Sequence, residues 1–547
     1  MPRGTRWPIT AAASAARRSR AGKPSRRART RLCTVSGSEP AYTPEALVDA
    51  ALLRPEGADY RFAHALLRDA VYASLLDDDR LALHRRAARW FAGRDPVLHA
   101  EQLELAGDAA AAAAYRSAAA HEAAQARLER AIHLAERGQA LAADDAVREA
   151  LRCDAADWLL ELGRAEPALR AFETAAGSAQ DDAARCRAET GIGACLRVHE
   201  RHVDALAALD RAEAAARRAG LTAPHATIAY LRGCLYFPLG RLDECLRAHE
   251  AAARAAASPL DEARAESGLG DAYYQRGDMP AAQIHFERCL ALARAHDLGR
   301  VEAANIHMHG VTQLYQGDAR AALHTVEEAV TRTCELGTPR AELVARSCGC
   351  DVAQWVGDWQ YLLQAAAPIE AMARTLGSRS FGVQGAATTG FALVSLGRVD
   401  EGLAHLDRAR ALCTGSIASF IGPTVLGMLA VATPDAAVRA DVLAEAEAQL
   451  AAGSVSHNHL TFRPLAMQAC WQAGDAAGIE HHRNELASYG IGTALPWTRF
   501  FVAWGDALAA AARGAGDRAQ LTRVRAEADA AGFGAVVPPL DAALGSA

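Results

Sequence analysis

The stretch that decides the fold is residues 269–290, which read LGDAYYQRGDMPAAQIHFERCL. Gly270 and Ala282 stand on either side of a glycine-aspartate turn, and an aromatic residue follows each of them, Tyr273 in the first case and Phe286 in the second. Two helices that meet at small residues can approach closely, and the aromatic side chains then fill the space beside the contact. The stretch therefore predicts a helical hairpin.

The same turn recurs along the chain. A glycine followed by Asp or Arg occurs at Gly163, Gly240, Gly277, Gly317, Gly357, Gly397 and Gly474. The spacings are 37 or 40 residues, or 77 where two repeats are joined, with one turn predicted at residues 199–202 without a glycine. Internal repetition at such a period is typical of solenoids. We therefore predict an all-α solenoid of helical hairpins with a period of about 37–40 residues.

The pattern within each hairpin resembles the tetratricopeptide repeat, and the array is similar to the tetratricopeptide-like solenoids of bacterial signalling proteins. This resemblance implies a concave face, made by the first helix of each hairpin, that binds a protein or peptide segment or a small effector. Matching the repeat around Gly270 gives the candidate binding residues Arg264, Ser267, Asp271, Tyr274 and Gln275, with His307 and Trp355 nearby in the next repeats.

Composition agrees with close-packed helices and excludes several functions. Of the 547 residues 51% are hydrophobic but only 6% are aromatic, much of the remainder being alanine, the strongest helix former. The longest apolar runs are too short for a membrane span. Lys23 is the only lysine and is followed by proline, so the chain has no phosphate-binding P-loop and no lysine for a Schiff base elsewhere.

Charge and cysteine usage bear on compartment and partners. The chain carries a net charge of -6, although residues 1–38 hold ten basic residues and no acid. With so acidic a body, nucleic acid is an unlikely main partner. The 12 cysteines form no C-x-x-C pair and no disulfide spacing, which favours a reducing, cytoplasmic compartment.

A second resemblance lies near the N-terminus. Residues 60–72 read YRFAHALLRDAVY, and residues 83–88 read LHRRAA. Both are similar to the winged-helix end of the multidomain signal-transduction ATPases called STAND, especially those that also carry a class III nucleotide cyclase domain. The resemblance implies that His64 matches a histidine that senses the β-phosphate of a bound nucleotide.

These patterns predict five segments. They are a basic disordered leader (1–41), a partial winged-helix segment (42–92), a helical linker (93–145), the tetratricopeptide-like array (146–515) and a C-terminal helix and tail (516–547). Within the array, residues 413–465 fit less well, with Pro423 and Pro434 and a predicted loop at residues 457–459.

No set of residues supports catalysis, a metal or a cofactor. His307 and His309 point in different directions on a helix, the adjacent His481 and His482 are expected to diverge too, and His457 and His459 have no acidic or cysteine partner nearby. No nucleophile elbow is present, and the paired glycines lie on repeat helices rather than after strands.

The sequence favours a non-catalytic scaffold that senses an effector or binds a protein, the C-terminal arm or a truncated remnant of a cyclase-linked STAND regulator. One alternative is an accessory subunit that supports nucleotide binding in trans, through His64, with a separate ATPase or cyclase. Another is a DNA-binding regulator that uses the partial winged helix and the arginine-rich leader.

Overall fold

The computed structural model describes residues 45–56, 59–489 and 495–546. The predicted basic leader, residues 1–41, lies outside the described residues. The chain divides into two compact units, Met1–Trp158 and Leu159–Ala547, which we describe separately.

The first unit contains a small β hairpin followed by helices. Its elements are α1 (Glu45–Asp49), β1 (Leu53–Glu56), β2 (Asp59–Phe62), α2 (Ala65–Ser74), α3 (Asp77–Phe91), α4 (Pro96–Leu105), α5 (Ala111–Ala124), α6 (Leu128–Leu141) and most of α7 (Asp145–Glu161). The strands are antiparallel, with Leu53 opposite Phe62. His64 is exposed at the residue before α2.

Polar contacts tie the helices of this unit together. Buried His84 on α3 lies 3.1 Å from the Tyr72 hydroxyl on α2 and 2.8 Å from the Gln102 side-chain oxygen on α4. The Tyr115 hydroxyl on α5 donates to Glu104 on α4 at 2.6 Å. These bonds satisfy polar groups that burial would otherwise penalise.

The second unit is a succession of antiparallel helix pairs. Its helices are α8 (Ala165–Ser178), α9 (Asp182–Val198), α10 (His202–Arg218), α11 (Pro224–Tyr236), α12 (Leu242–Ala255), α13 (Pro259–Arg276), α14 (Met279–Ala295), α15 (Gly299–Ala303), α16 (Ile306–Tyr315), α17 (Ala319–Glu335), α18 (Pro339–Val356), α19 (Trp359–Leu376), α20 (Arg379–Ser395) and α21 (Val399–Leu412). It continues with α22 (Ser416–Ala432), α23 (Ala436–Ala451), α24 (Ser456–Gln472), α25 (Ala476–Tyr489), α26 (Pro496–Ala512), α27 (Arg518–Ala531), a 3-10 turn (Gly534–Val536) and α28 (Val537–Ser546).

The predicted turns lie between these helices. All seven turn glycines named above have positive φ, from 67° at Gly240 to 89° at Gly317, a conformation that glycine adopts without strain. At the turn without a glycine, Glu200 takes this conformation with φ 57°. The chain is thus an all-α, tetratricopeptide-like helical repeat, as predicted.

Close helix contacts occur where small residues were predicted. A Cβ atom added to Gly270 would lie 2.6 Å from Cε1 of Phe286, and one added to Gly193 would lie 2.7 Å from Cδ2 of Leu209. Both distances are too short for carbon atoms, so only glycine permits the helix separation at these points.

The prediction of a loop at residues 457–459 is wrong, since α24 begins at Ser456. Pro423 lies inside α22 and has no N–H for the carbonyl of Ser419, four residues earlier. The Asn458 side-chain amide donates to that carbonyl at 3.1 Å and to the Phe420 carbonyl at 2.9 Å. The Asn458 side chain, which belongs to the next hairpin, therefore replaces the hydrogen bond that Pro423 cannot donate. The helix pairs continue through this segment, so the two prolines do not degrade the repeat.

Candidate ligand-binding site

Later hairpins of the second unit pack on the inner face of earlier ones. The Glu200 carboxylate, in the α9–α10 turn, accepts hydrogen bonds from the Ser378 hydroxyl at 2.6 Å and the Ser380 backbone N–H at 3.1 Å. The Ser456 hydroxyl at the start of α24 donates to the Tyr274 carbonyl on α13. Residues about 180 positions apart are thus in contact, and successive turns of the solenoid close on one another.

A partly open cavity of about 470 Å³ remains between these hairpins. Its wall comes from the first helices of successive hairpins, α9, α11, α13, α16, α18, α20, α22 and α24. The residues of these helices that face the cavity come from successive hairpins.

Aromatic side chains form much of the wall. Phe237 stacks on Tyr274 with ring centroids 6.3 Å apart and meets Phe420 edge-on, also at 6.3 Å. Phe381 meets Phe420 edge-on at 6.2 Å. These rings offer apolar contact to an enclosed ligand.

Two arginines supply positive charge at the cavity wall. The Nε atom of Arg197 and the Nη1 atom of Arg340 are both buried, and neither has a hydrogen-bond partner among the described residues. Burial, together with the charge of Arg197, lowers the pKa of Arg340 to about 10, so this guanidinium remains charged at neutral pH.

Two carboxyl groups face the same cavity from other helices. Burial raises the pKa of Asp271 to about 7, and the charge of Arg197 only partly opposes this shift. Burial also raises the pKa of Asp351 to about 7, although the Gln384 amide donates to it at 2.9 Å. Both groups change charge near neutral pH.

The histidines of the wall are neutral. Burial lowers the pKa of His307 and of His457 to about 4 in each case. The Nδ1 atom of His307 is buried without a partner among the described residues, while Nε2 of His457 lies 2.6 Å from the Phe420 carbonyl.

The structure brings four of the predicted concave-face residues to the cavity wall. These are Ser267, Asp271, Tyr274 and His307. The Ser267 hydroxyl donates to the Asn305 side chain at 2.6 Å, which fixes its orientation.

The other three predicted residues lie elsewhere in the described structure. Arg264 is half-buried on α13, and the buried Gln275 side chain donates to the Phe237 carbonyl at 2.8 Å. Trp355 packs edge-on against Trp497 at 4.9 Å in an aromatic cluster with α26. None of the three is part of the cavity wall.

Several wall residues that were not predicted stand at fixed distances before the turn glycines. Ser267, Asp271 and Tyr274 stand ten, six and three positions before the turn glycine Gly277, and so share one face of α13. The same offsets applied to neighbouring turns give the wall residues Tyr230, Cys234, Phe237, His307, Val311, Leu314, Ser347, Asp351 and Gln354. Arg197 follows the same rule, three positions before Glu200.

One histidine cluster departs from expectation. Nε2 of His481 and Nδ1 of His482 lie 3.3 Å and 3.4 Å from the same Glu447 oxygen, so the prediction that these adjacent histidines diverge is wrong. The guanidinium of Arg463 also contacts this carboxylate, at 3.0 Å from its second oxygen. Because the arginine places a positive charge where a metal ion would lie, we interpret the cluster as an ion-pair network.

Several solved structures are similar to this chain at low sequence identity. No family model matches the sequence, and no curated protein matches it. Among solved structures, a STAND protein with a tetratricopeptide repeat sensor from Pyrococcus horikoshii is 13% identical with a TM-score of 0.44, covering 70% of this chain. The chain spans only 59% of that protein.

Two further solved structures match a comparable share of this chain. A Rap protein complexed with competence and sporulation factor is 10% identical with a TM-score of 0.45, covering 70% of this chain and 99% of its own. The tetratricopeptide domain of P58(IPK) is 17% identical with a TM-score of 0.21, covering 68% and 98% respectively. The assignment of the fold rests on the helix pairs and turns described above.

None of the described helices is long and apolar enough to cross a bilayer.

Proposed function

We propose that this chain is a non-catalytic sensor whose second unit binds a small effector in this partly covered cavity. The observation that carries the proposal is the cavity itself, about 470 Å³ in volume and walled by the inner helices. This volume is within the range of small-molecule sites, and a mainly apolar lining that includes aromatic rings and oriented polar groups is typical of them.

A small effector fits this geometry better than a protein segment. A protein segment needs an open groove, whereas later hairpins cover the inner face of this array at Tyr274 and Trp355. The sequence left both kinds of ligand open, and the closure of the array favours the smaller one.

Binding fits the chemistry of the wall better than catalysis does. Burial raises the pKa of the Cys234 and Cys348 thiols, which keeps them protonated and poorly nucleophilic at neutral pH. Burial also holds His307 and His457 neutral, and neither interacts with a carboxylate of the described residues that would orient it as a general base.

The resemblance of residues 60–72 supports a place for this sensor in a signalling regulator. We propose that the chain is the effector-binding arm of a STAND-type regulator linked to a cyclase, in which effector binding controls the ATPase. Nucleotide binding in trans through His64 has less support, because His64 is exposed and makes no capping bond at α2. No specific observation favours DNA binding.

The test uses a neutral fluorescent probe, N-phenyl-1-naphthylamine, titrated into the full chain. Half-buried Ala341 lines the cavity, so Ala341→Phe fills part of it, whereas exposed Ala371→Phe adds the same group on outer helix α19. We expect saturable binding to the wild type, weakened at least about tenfold by Ala341→Phe and unchanged by Ala371→Phe. Absence of binding, or equal binding to all three proteins, would contradict the proposal.

A further inference from the structure

The strongest unexplained feature of the cavity is its pair of arginines. Arg197 is near the end of α9 and Arg340 is at the start of α18, on separate hairpins that meet at this wall. Both side chains line the same cavity, and burial together with the charge of Arg197 lowers the pKa of Arg340.

The Glu200 carboxylate, on the same cavity wall, makes no direct contact with either arginine among the described residues. Glu200 accepts hydrogen bonds from the hydroxyl and backbone N–H of Ser380 and from the Ser378 hydroxyl. Its lone pairs therefore cap the N-terminus of α20, where a carboxylate is favoured by the free N–H groups. No hydrogen bond or ion pair joins Glu200 to either arginine in the described part of the chain.

Arg197 and Arg340 are half-buried, like-charged side chains, and each has one buried guanidinium nitrogen without a partner among the described residues, which is costly to the empty protein. An anion placed between them would receive charge-assisted hydrogen bonds from both guanidinium groups, which bind carboxylate and phosphate in a planar, two-point geometry. The aromatic rings of Phe237 and Phe420 line the same cavity and offer contact to an apolar body.

We propose that Arg197 and Arg340 form an anion subsite that holds the carboxylate or phosphate group of a small aromatic or aliphatic effector. The subsite rests on the proposed function, since it specifies the chemistry of the ligand in that cavity. The anionic group lies between the two guanidinium groups, and the apolar part of the effector lies against the aromatic wall.

The experiment compares two probes that differ by one charged group. 1-Anilinonaphthalene-8-sulfonate is an anion, and N-phenyl-1-naphthylamine is the same framework without the sulfonate. Each is titrated into the wild type, Arg197→Gln, Arg340→Gln and the control Arg288→Gln, whose arginine is exposed on α14. We expect each cavity variant to weaken the anionic probe at least about tenfold and the neutral probe less than about twofold, while the control changes neither.

Thermal unfolding without ligand separates a binding role from a structural one. If the arginines serve a ligand, replacing either removes a buried nitrogen that has no hydrogen-bond partner among the described residues and relieves the repulsion of the two charges, and the midpoint of unfolding stays the same or rises. A clear fall in the midpoint for both variants would show that the guanidinium groups stabilise the fold, and would overturn the subsite.

Competition identifies the anionic group. Benzoate and phenyl phosphate are each used to displace the anionic probe, and the stronger competitor indicates whether the subsite suits carboxylate or phosphate. Failure of both would overturn the subsite. If the neutral probe binds in the cavity and neither arginine variant affects the anionic probe, the subsite is overturned but the proposed function stands. If neither probe binds, both the subsite and the proposed function are overturned.

Discussion

At the scale of single residues, His249 shows how tightly the helices are fitted. Its imidazole is fully buried on α12 between α11 and α13. A Cβ atom at Gly233 would lie 2.2 Å from Nε2 of this ring, and one at Gly268 would lie 2.0 Å from Nδ1. The two glycines therefore form the space that the histidine fills.

Replacement of glycine by alanine should have opposite effects on stability at two helical positions. Gly268→Ala should lower the free energy of unfolding by about 1–3 kcal/mol, because the buried ring cannot move away. Gly177→Ala, at an exposed position of α8 with no atom near the added Cβ, should raise it by about 0.5–1 kcal/mol. Urea denaturation of both variants measures the difference, and equal stabilities would refute this view of the packing.

Asp271 predicts how anion binding depends on pH. Burial raises its pKa to about 7, and it faces the charge of Arg197. Above pH 7 the carboxylate is charged and repels an anion, while below pH 7 it is neutral. The sulfonate probe should therefore bind more tightly at pH 6 than at pH 8, by about two- to tenfold.

Few other groups around Asp271 titrate in this range. The neighbouring Cys234 and burial raise the pKa of Tyr230, which keeps it neutral. Burial raises the pKa of the nearby thiols and keeps them neutral too, namely Cys234, Cys245, Cys289 and Cys348. Asp351 titrates near pH 7 as well and remains in the variant. Asp271→Asn should reduce the pH dependence of the probe's dissociation constant, and an unaltered profile would show that Asp271 does not act on the anion.

At the scale of helices, the sequence predicts a great deal because the hairpin is a local unit. The turn at Gly277 and the contact of Gly270 with Phe286 depend on residues fewer than twenty positions apart. The spacing of small, aromatic and turn residues therefore suffices to predict each hairpin. The inward face of α13 was predictable for the same reason.

The sequence could not predict the contacts between distant helices. Trp355 stands two positions before Gly357, as the candidate Gln275 does before Gly277, yet it packs against Trp497 and Phe501 of α26, more than 140 positions later. Glu200 likewise acts on the N-terminus of α20. Nothing in the repeat pattern indicates which later hairpin will cover which earlier one, so the enclosure of the cavity had no signal in the sequence.

At the scale of the whole second unit, contacts between distant hairpins partly cover the inner face of the repeat array. The contacts of Glu200 with Ser380 and of Ser456 with Tyr274 join consecutive turns of the solenoid. Together with the aromatic cluster around Trp497, they convert an open concave face into a cavity with two arginines, two carboxyl groups and an aromatic wall. Effector binding inside such a space can couple hairpins that are distant in sequence.

The most direct test of this account is a crystal structure of the full chain with 4-bromobenzoate, located by the anomalous scattering of bromine. We expect one bromine peak inside the cavity, with the carboxylate within hydrogen-bond distance of Arg197 and Arg340 and the ring against Phe237 or Phe420. A bromine peak outside the cavity would contradict the proposed binding site, and a carboxylate turned away from both arginines would contradict the anion subsite.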